Sequence, residues 1–362
     1  MAINKGIVGI GDAGGSVVAS DNFNVQLYTG TGTTGEVITT GLAADLVIIK
    51  CRSLNRNGTS SQQDWIWFDT IRGPSEYIRS NRGDSPQYYA GSGKGVSAFG
   101  STTVTIGDDD AGSLGANGLA SNGLYSGASL YTMYSFTGGG TAVTIAANTV
   151  GNTIASDVSA NVAAGFSIVN YTGNGTSGAT FGHGLDSAPE LIIQKNVDEA
   201  QSWIVNADAI GKSNVLTLSS TGGILSRPNQ YYYAWDSSTI TTGSDIHTNG
   251  LNDEIVAYCF HSVAGYSKID TYLGSGLSGK TIATGFEPAF VMIKASSTTG
   301  HWYVFDNKRK TGVYSDQLMM NSISAEITGT NVKLTSTGFT LDTTADDLNN
   351  GGVTFLYMAF AE

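Results

Sequence analysis

The stretch Tyr272-Leu-Gly274-Ser-Gly276, Thr284-Gly285-Phe286-Glu-Pro288-Ala-Phe290-Val-Met-Ile-Lys294, Trp302-Tyr-Val-Phe-Asp306, closing on Phe355-Leu-Tyr-Met-Ala-Phe360, decides the architecture because it occurs three times. Tyr28, Tyr171 and Tyr272 each precede a Gly-x-Gly, and thirteen residues after each tyrosine stand Gly41, Gly184 and Gly285. Apolar runs ending in lysine follow: Leu46 to Lys50, Leu191 to Lys195 and Phe290 to Lys294. Trp65 and Asp69, Trp203 and Asp208, and Trp302 and Asp306 come next, and the copies end at Phe136, Phe260 and Phe360.

Working outward, the copies define an arm over 1–22, repeat 1 over 23–136, an insertion over 137–165, repeat 2 over 166–263 and repeat 3 over 264–362. Short runs rich in Val, Ile, Tyr and Phe between Gly-rich turns predict strands. Leu46 to Ile49 is apolar throughout, as a strand buried on both faces is. The expected fold is all-β: three tandem sandwich-like repeats of antiparallel strands, jelly-roll or lectin-like. The exception is Tyr314 to Ile327, which is expected to be helical around Leu318, Met319 and Met320. The repeated Lys50/Asp69, Lys195/Asp208 and Lys294/Asp306 are expected to form structural ion pairs between strand ends, since an active site is hardly needed in triplicate.

Glycine is nearly twice as frequent as usual at 48 residues, and charged residues make up only 13%. A hydrophobic content of 40% argues against disorder. The formal charge of −12, without a Lys/Arg cluster, argues against nucleic acid and anionic lipid as partners. No apolar run reaches the roughly 18 residues of a membrane helix, and the first residues lack the apolar core of a secretory signal. Cys51 and Cys259 lie in different copies within or beside apolar runs and read as reduced, buried thiols.

Two stretches offer themselves for recognition. In Arg227 to Asp236, the rings of Tyr231, Tyr232, Tyr233 and Trp235 beside Asp236 suit either a core strand or a platform for sugar rings. Arg72 to Gly95 reads as a long loop carrying Arg79, Arg82, Tyr88 and Tyr89. Asp108-Asp109-Asp110 faintly resembles a calcium loop but lacks the alternate ligands and downstream Glu, and reads as a solvated turn. The insertion, with Asp157 as its one charged residue, is either a linker or an extra pair of strands. Left bare it would invite aggregation, so it is expected to be covered by its own repeats or by another copy. The arm over 1–22 reads as a loose end or as an anchor that orders on a partner.

His183, His247, His261 and His301 are isolated, and no zinc spacing, nucleophile elbow or phosphate loop is present. No pair of carboxylates stands out, so neither enzyme activity nor a cofactor is expected.

The runs 171–176, 182–195, 258–268, 284–294 and 357–362 resemble a repeat common in tail-fibre and other virion proteins of marine and cyanobacterial tailed phages. The resemblance is clear over 166–362, weak over 23–136 and absent from 1–22. It implies an all-β virion surface protein. With no catalytic motif in view, the expectation is a non-enzymatic tail fibre or appendage that contacts the host surface, with host glycan as a candidate ligand; the alternative is a capsid-decorating or tail-structural protein, and the outsider is a surface-glycan hydrolase. Its expected partners are itself, as a trimer if it is a fibre, and other virion proteins.

Overall fold

The computed structural model describes residues 17–53, 63–84, 87–88, 94–107, 116–117 and 129–362. Repeat 1 contains β1 (Phe23–Thr29), β2 (Glu36–Thr39), β3 (Leu46–Cys51), β4 (Trp65–Asp69), β5 (Glu76–Arg79), β6 (Gln87–Tyr88), β7 (Val96–Phe99), β8 (Thr103–Ile106) and β9 (Leu130–Phe136). The insertion supplies β10 (Val143–Ile145) and β11 (Ser156–Asn161). Repeat 2 contains β12 (Phe166–Thr172), β13 (Ala179–Gly182), β14 (Leu191–Asn196), β15 (Ile204–Ala207), β16 (Asn214–Thr217), β17 (Leu225–Ser226), β18 (Tyr232–Trp235), β19 (Thr239–Thr242), α1 (Ile246–Asn249) and β20 (Glu254–Phe260). Repeat 3 contains β21 (Ser267–Leu273), β22 (Lys280–Ala283), β23 (Phe290–Ala295), β24 (Trp302–Asp306), β25 (Lys310–Thr311), β26 (Tyr314–Ser315), β27 (Leu318–Met319), β28 (Val332–Thr335), β29 (Gly338–Leu341), α2 (Asp346–Asn349) and β30 (Thr354–Phe360).

The chain is all-β, and each repeat has one large and one small antiparallel sheet; in repeat 3, β25 and β26 form a further two-stranded ribbon. The large sheets run β1-β9-β3-β4-β5-β6, β10-β11-β12-β20-β14-β15-β16-β17 and β21-β30-β23-β24-β27. The small sheets, β2-β8-β7, β13-β19-β18 and β22-β29-β28, are equivalent in all three copies. In every large sheet the closing strand lies between the opening strand and the lysine-ending strand. The registers Leu46↔Phe136, Leu191↔Phe260 and Phe290↔Phe360 are therefore equivalent.

The closing strands are buried on both faces, and their alternation sorts side chains into two kinds of core. Tyr131 and Met133, then Ile255, Ala257 and Cys259, then Phe355, Tyr357 and Ala359, face the small sheet of their own repeat. Tyr134 and Phe136, then Val256, Tyr258 and Phe260, then Leu356, Met358 and Phe360, enter one core shared by all three repeats. There Phe136, Phe260 and Phe360 form a near-equilateral triangle with centroid separations of 6.0, 5.3 and 5.9 Å. Equivalent residues can meet in this way only around an approximate threefold axis. The repeats are thus wrapped round a common core. Both cysteines are buried and free.

Three local expectations need correction or completion. Residues 314–327 form no helix: β26 and β27 occupy part of the segment, and Gln317 bridges Ile327. Leu318, Met319 and Met320 are consecutive, whereas a helical face needs apolar residues three and four apart. As strand residues, Leu318 and Met319 pair with Val304 and Tyr303. The span from Arg72 to Gly95 is not all loop, since β5 and β6 extend the large sheet of repeat 1. The insertion is a pair of strands on the edge of the large sheet of repeat 2, with β11 well covered and Val143 of β10 68% exposed.

Candidate functional site

The repeated Tyr and Gly-x-Gly form a clasp. Tyr28 Oη donates to the Ala116 carbonyl at 2.6 Å, Tyr171 Oη to the Thr248 carbonyl at 2.5 Å and Tyr272 Oη to the Leu348 carbonyl at 2.6 Å. The residue after each acceptor is an asparagine. Asn117, Asn249 and Asn349 accept from the backbone N–H of Thr31, Asn174 and Ser275 at 2.8, 2.8 and 2.9 Å. Their amides donate back to the carbonyls of Thr33, Thr176 and Leu277. Gly175 and Gly276 take left-handed φ of 69° and 67°, and a Cβ on Gly173 or Gly274 would strike the Gly250 or Asn350 carbonyl. Sequence reasoning missed these asparagines, although Asn249 and Asn349 stand at the same distance before their closing phenylalanines.

The expected Lys/Asp pairs do not form. In the antiparallel hairpins Lys50 lies opposite Trp65 while Asp69 lies opposite Leu46, and Lys294 lies opposite Trp302 while Asp306 lies opposite Phe290. Each lysine is therefore at the far end of the hairpin from its aspartate. The buried ammonium groups instead cap backbone carbonyls. Lys50 Nζ donates to Gln63 and to Ile323 of repeat 3, and Lys294 Nζ to Gly300 at 2.7 Å and to Thr221 of repeat 2 at 2.9 Å. Lys195 Nζ stays within its own repeat, donating to Gln201 at 2.7 Å and Glu199 at 3.3 Å. Burial lowers the Lys50 pKa to about 7 and those of Lys195 and Lys294 to about 8.

The aspartates serve a different contact. Asp69 Oδ2 accepts from Arg72 Nε at 2.7 Å and from Tyr258 Oη of repeat 2 at 2.8 Å. Asp306 Oδ2 accepts from Arg309 Nε at 2.6 Å and from Tyr134 Oη of repeat 1 at 2.8 Å. Burial pushes both tyrosine hydroxyls well above their usual pKa, so they remain proton donors. In repeat 2 the place opposite Leu191 belongs to Ala207, and Asp208, one residue on, is exposed. Ile210 and Met358 stand where the other contacts have Arg and Tyr. The signal for this cluster was legible as Asp-x-x-Arg, present at 69–72 and 306–309.

The tryptophans complete the closure. Trp65 Nε1 donates to Met319 of repeat 3, Trp302 Nε1 to Thr217 of repeat 2, and Trp203 Nε1 to Arg79 of repeat 1, at 2.8, 3.0 and 2.8 Å. The cycle returns to its start, so every repeat contacts both others.

The aromatic strand is spent largely on the interior. Tyr232 is fully buried and shares a 2.7 Å hydroxyl contact with Tyr171. Trp235 is buried with Lys212 over its ring, and Tyr231 is buried beside Ile204 and Val215. Tyr233 is half-buried, and exposed Asp236 caps a turn by accepting from Ser238 and Thr239. These residues thus offer no open ring platform. Arg79 and Arg82 converge on buried Asp64, at 3.3 and 2.8 Å. Tyr88 lies in β6, while Tyr89, Asp108 to Asp110 and 1–16 lie outside the described residues.

Among the described residues the clefts are shallow, one of them, about 330 Å³, lying between Thr217 to Leu225 of repeat 2 and Ser297 to Thr299 of repeat 3. A cleft of about 480 Å³ between repeat 1 and the insertion holds Asp45, Thr70, Ile71, Phe99 and Ala142. Its buried Asp45 accepts from Thr70 Oγ1 at 3.0 Å and from the Gly138 and Gly140 N–H at 2.8 and 3.3 Å. It therefore ties the insertion to repeat 1, and burial raises its pKa. A more polar cleft of about 450 Å³ holds Thr144, Asp157, Asn170, Thr172 and Glu254. Among the described residues no group of three His, Cys, Asp or Glu side chains is placed to hold a metal ion. The polar cleft can exchange hydrogen bonds with hydroxyl groups.

The chain belongs to a family described only as a domain of unknown function, DUF7483, whose model matches residues 18–362. No curated protein and no solved structure matches it.

Proposed function

We propose that this chain is a non-enzymatic structural protein of a tailed-phage particle, an appendage component that meets the host surface. The observation that carries the reading is the use of the repeated residues. Tyrosine, Gly-x-Gly, asparagine, lysine and tryptophan all serve to hold loops or join repeats. A chain that spends its repeated chemistry on closure is suited to a scaffold role, and the resemblance of 166–362 to virion repeats gives that scaffold a setting. Recognition falls to the polar cleft, whose Asp157, Asn170 and Glu254 suit the hydroxyls of a surface glycan.

A second reading is favoured by the closed arrangement. Repeats wrapped round one core make a compact body rather than an extended shaft, which suits a capsid-decorating protein as well as a fibre tip. The starts of the opening strands and the ends of the closing strands share the phenylalanine end, and Val17 and Ala19, just before the first opening strand, pack against the shared core, so an attachment through the arm would be made from that end. Imaging of particles carrying a labelled copy decides between the two. Label on the tail supports the appendage, label over the head supports decoration, and absence from particles refutes both. Release of reducing ends from host polysaccharide by pure protein would refute the non-enzymatic part.

A further inference from the structure

The turns after β2, β13 and β22 open on Thr40-Gly41, His183-Gly184 and Thr284-Gly285. In all three, the backbone N–H of the first residue donates to the hairpin turn of the small sheet, at Thr102, Ser238 and Thr337. Only the side chain differs. Thr40 and Thr284 donate a hydroxyl to the carbonyl two residues on, at 2.7 and 2.6 Å, a contact that no proton uptake disturbs. His183 is fully buried. Its Nδ1 accepts from the Leu185 N–H at 3.2 Å, and its Nε2 lies 3.1 Å from the Asp236 carbonyl, in the turn between β18 and β19. A backbone N–H only donates and a carbonyl only accepts, so the ring is neutral with its proton on Nε2. A second proton, on Nδ1, would face the Leu185 N–H and break that bond.

The surroundings do not favour the charged ring. Asp236 attracts it, but the Asp236 carboxylate already accepts from the Ser238 and Thr239 N–H groups at 2.8 Å. His261, just after β20, opposes it, and Asp186 lies 4.0 Å from His261 Nε2. Lys212 donates to the Trp235 carbonyl beside the turn, and β11 contributes uncharged Val158 and Ala160 over Gly184. Burial outweighs Asp236 and holds the His183 pKa below the usual 6.5. The same sandwich is also the least apolar inside. Gln194 and Asn206 stand where repeat 1 has Ile49 and Phe68 and repeat 3 has Ile293 and Phe305. Both are fully buried, and the Gln194 amide and Asn206 Oδ1 find no hydrogen-bond partner among the described residues. Such groups weaken the hold between two sheets.

We propose that His183 is an acid-sensitive latch: protonation at Nδ1 frees the turn between β18 and β19 from the end of β13 and loosens the small sheet of repeat 2, while the threonine-latched small sheets of repeats 1 and 3 stay closed. The ring takes up its proton more readily in the opened state than in the closed one. The latch is therefore fully engaged above about pH 6.5 and weakens as pH falls below that value.

The test is hydrogen exchange of the full chain at about pH 7.5 and about pH 5, on either side of the imidazole range. Wild type is compared with His183→Thr, which installs the side chain of the other two repeats, and with His183→Gln, which keeps a neutral donor and acceptor. Comparison at one pH cancels the intrinsic pH dependence of exchange. Over 179–185 and 232–242, the ratio of wild-type to variant rate should rise about tenfold or more from the higher pH to the lower, since one excluded proton contributes up to about a decade per pH unit. Over 36–42 and 280–286 the ratio should stay constant. The wild-type ring gives a readout that needs no variant: its nitrogen chemical shifts should show the proton on Nε2 at neutral pH and a titration below 6.5. A ratio that does not change with pH, an equal rise in all three repeats, a ring protonated on Nδ1 at neutral pH, or a titration at or above 6.5 would overturn the proposal.

Discussion

The contact between repeats 1 and 3 and the contact between repeats 2 and 3 fill equivalent places with opposite materials. The first buries Tyr134, Asp306 and Arg309, and extends through Glu326 to Arg52. The second puts Met358, Ala207 and Ile210 into the same shared core without a charge. The contact between repeats 1 and 2 follows the first pattern with Tyr258, Asp69 and Arg72. A buried, hydrogen-bonded ion pair and a well-packed apolar set are near-equivalent solutions to one geometric problem. They differ in how they fail: losing one partner of the polar set strands a buried charge, whereas the apolar set loses only contact area.

The largest expected effect follows from that difference. Asp306→Ala leaves Arg309 Nε and the Tyr134 hydroxyl without their shared acceptor, and should cost about 3–5 kcal/mol in denaturant unfolding. A loss below about 1 kcal/mol would show that Glu326 alone holds the arginine. The next variant imports the other contact: Tyr134→Met, Asp306→Ala and Arg309→Ile together. Since removing a whole buried pair is often neutral, the triple variant should recover most of what Asp306→Ala loses. A triple variant as unstable as the single one would mean that the two materials are not interchangeable here.

A pH dependence comes third. Burial lowers the Lys50 pKa from 10.5 to about 7. Between these values the unfolded chain binds more protons than the folded one, so stability rises with pH. The penalty for charging Lys50 is complete below about pH 7 and is relieved as pH climbs towards 10.5. One such group contributes a slope of up to about 1.4 kcal/mol per pH unit. Unfolding of wild type and Lys50→Met between pH 7 and 10 should therefore diverge in slope, and parallel curves would refute the assignment. The smallest effect belongs to Asp208→Ala. The Asp208 side chain is 57% exposed and sits one position beyond the buried place, so the change should stay within about 0.5 kcal/mol. A loss near that of Asp306→Ala would erase the distinction between the contacts.

Much of this is legible in the sequence. Alternation and turn glycines placed the opening, lysine-ending and closing strands, and the spacing revealed three copies. The Lys/Asp error is instructive because its cause is elementary: the ends of consecutive antiparallel strands lie at opposite ends of the hairpin, as the pairing of Lys294 with Trp302 shows. The helix expected over 314–327 failed because three adjacent apolar residues carry no helical period. Tyr231 and Trp235 suited core and platform equally, because aromatic residues fill both.

By itself, the sequence determined the all-β class, the triplication and the alternation that gives every closing strand two apolar faces. Those are local properties, dictated by residue type and a period of two. The tertiary structure decided which face entered the shared core and that three sheets would close a ring about Phe136, Phe260 and Phe360. It also decided that Asp69 and Asp306 would be buried against a neighbour's tyrosine while Asp208 met water. Such outcomes depend on partners a hundred or more residues away in the chain, and no local pattern encodes them.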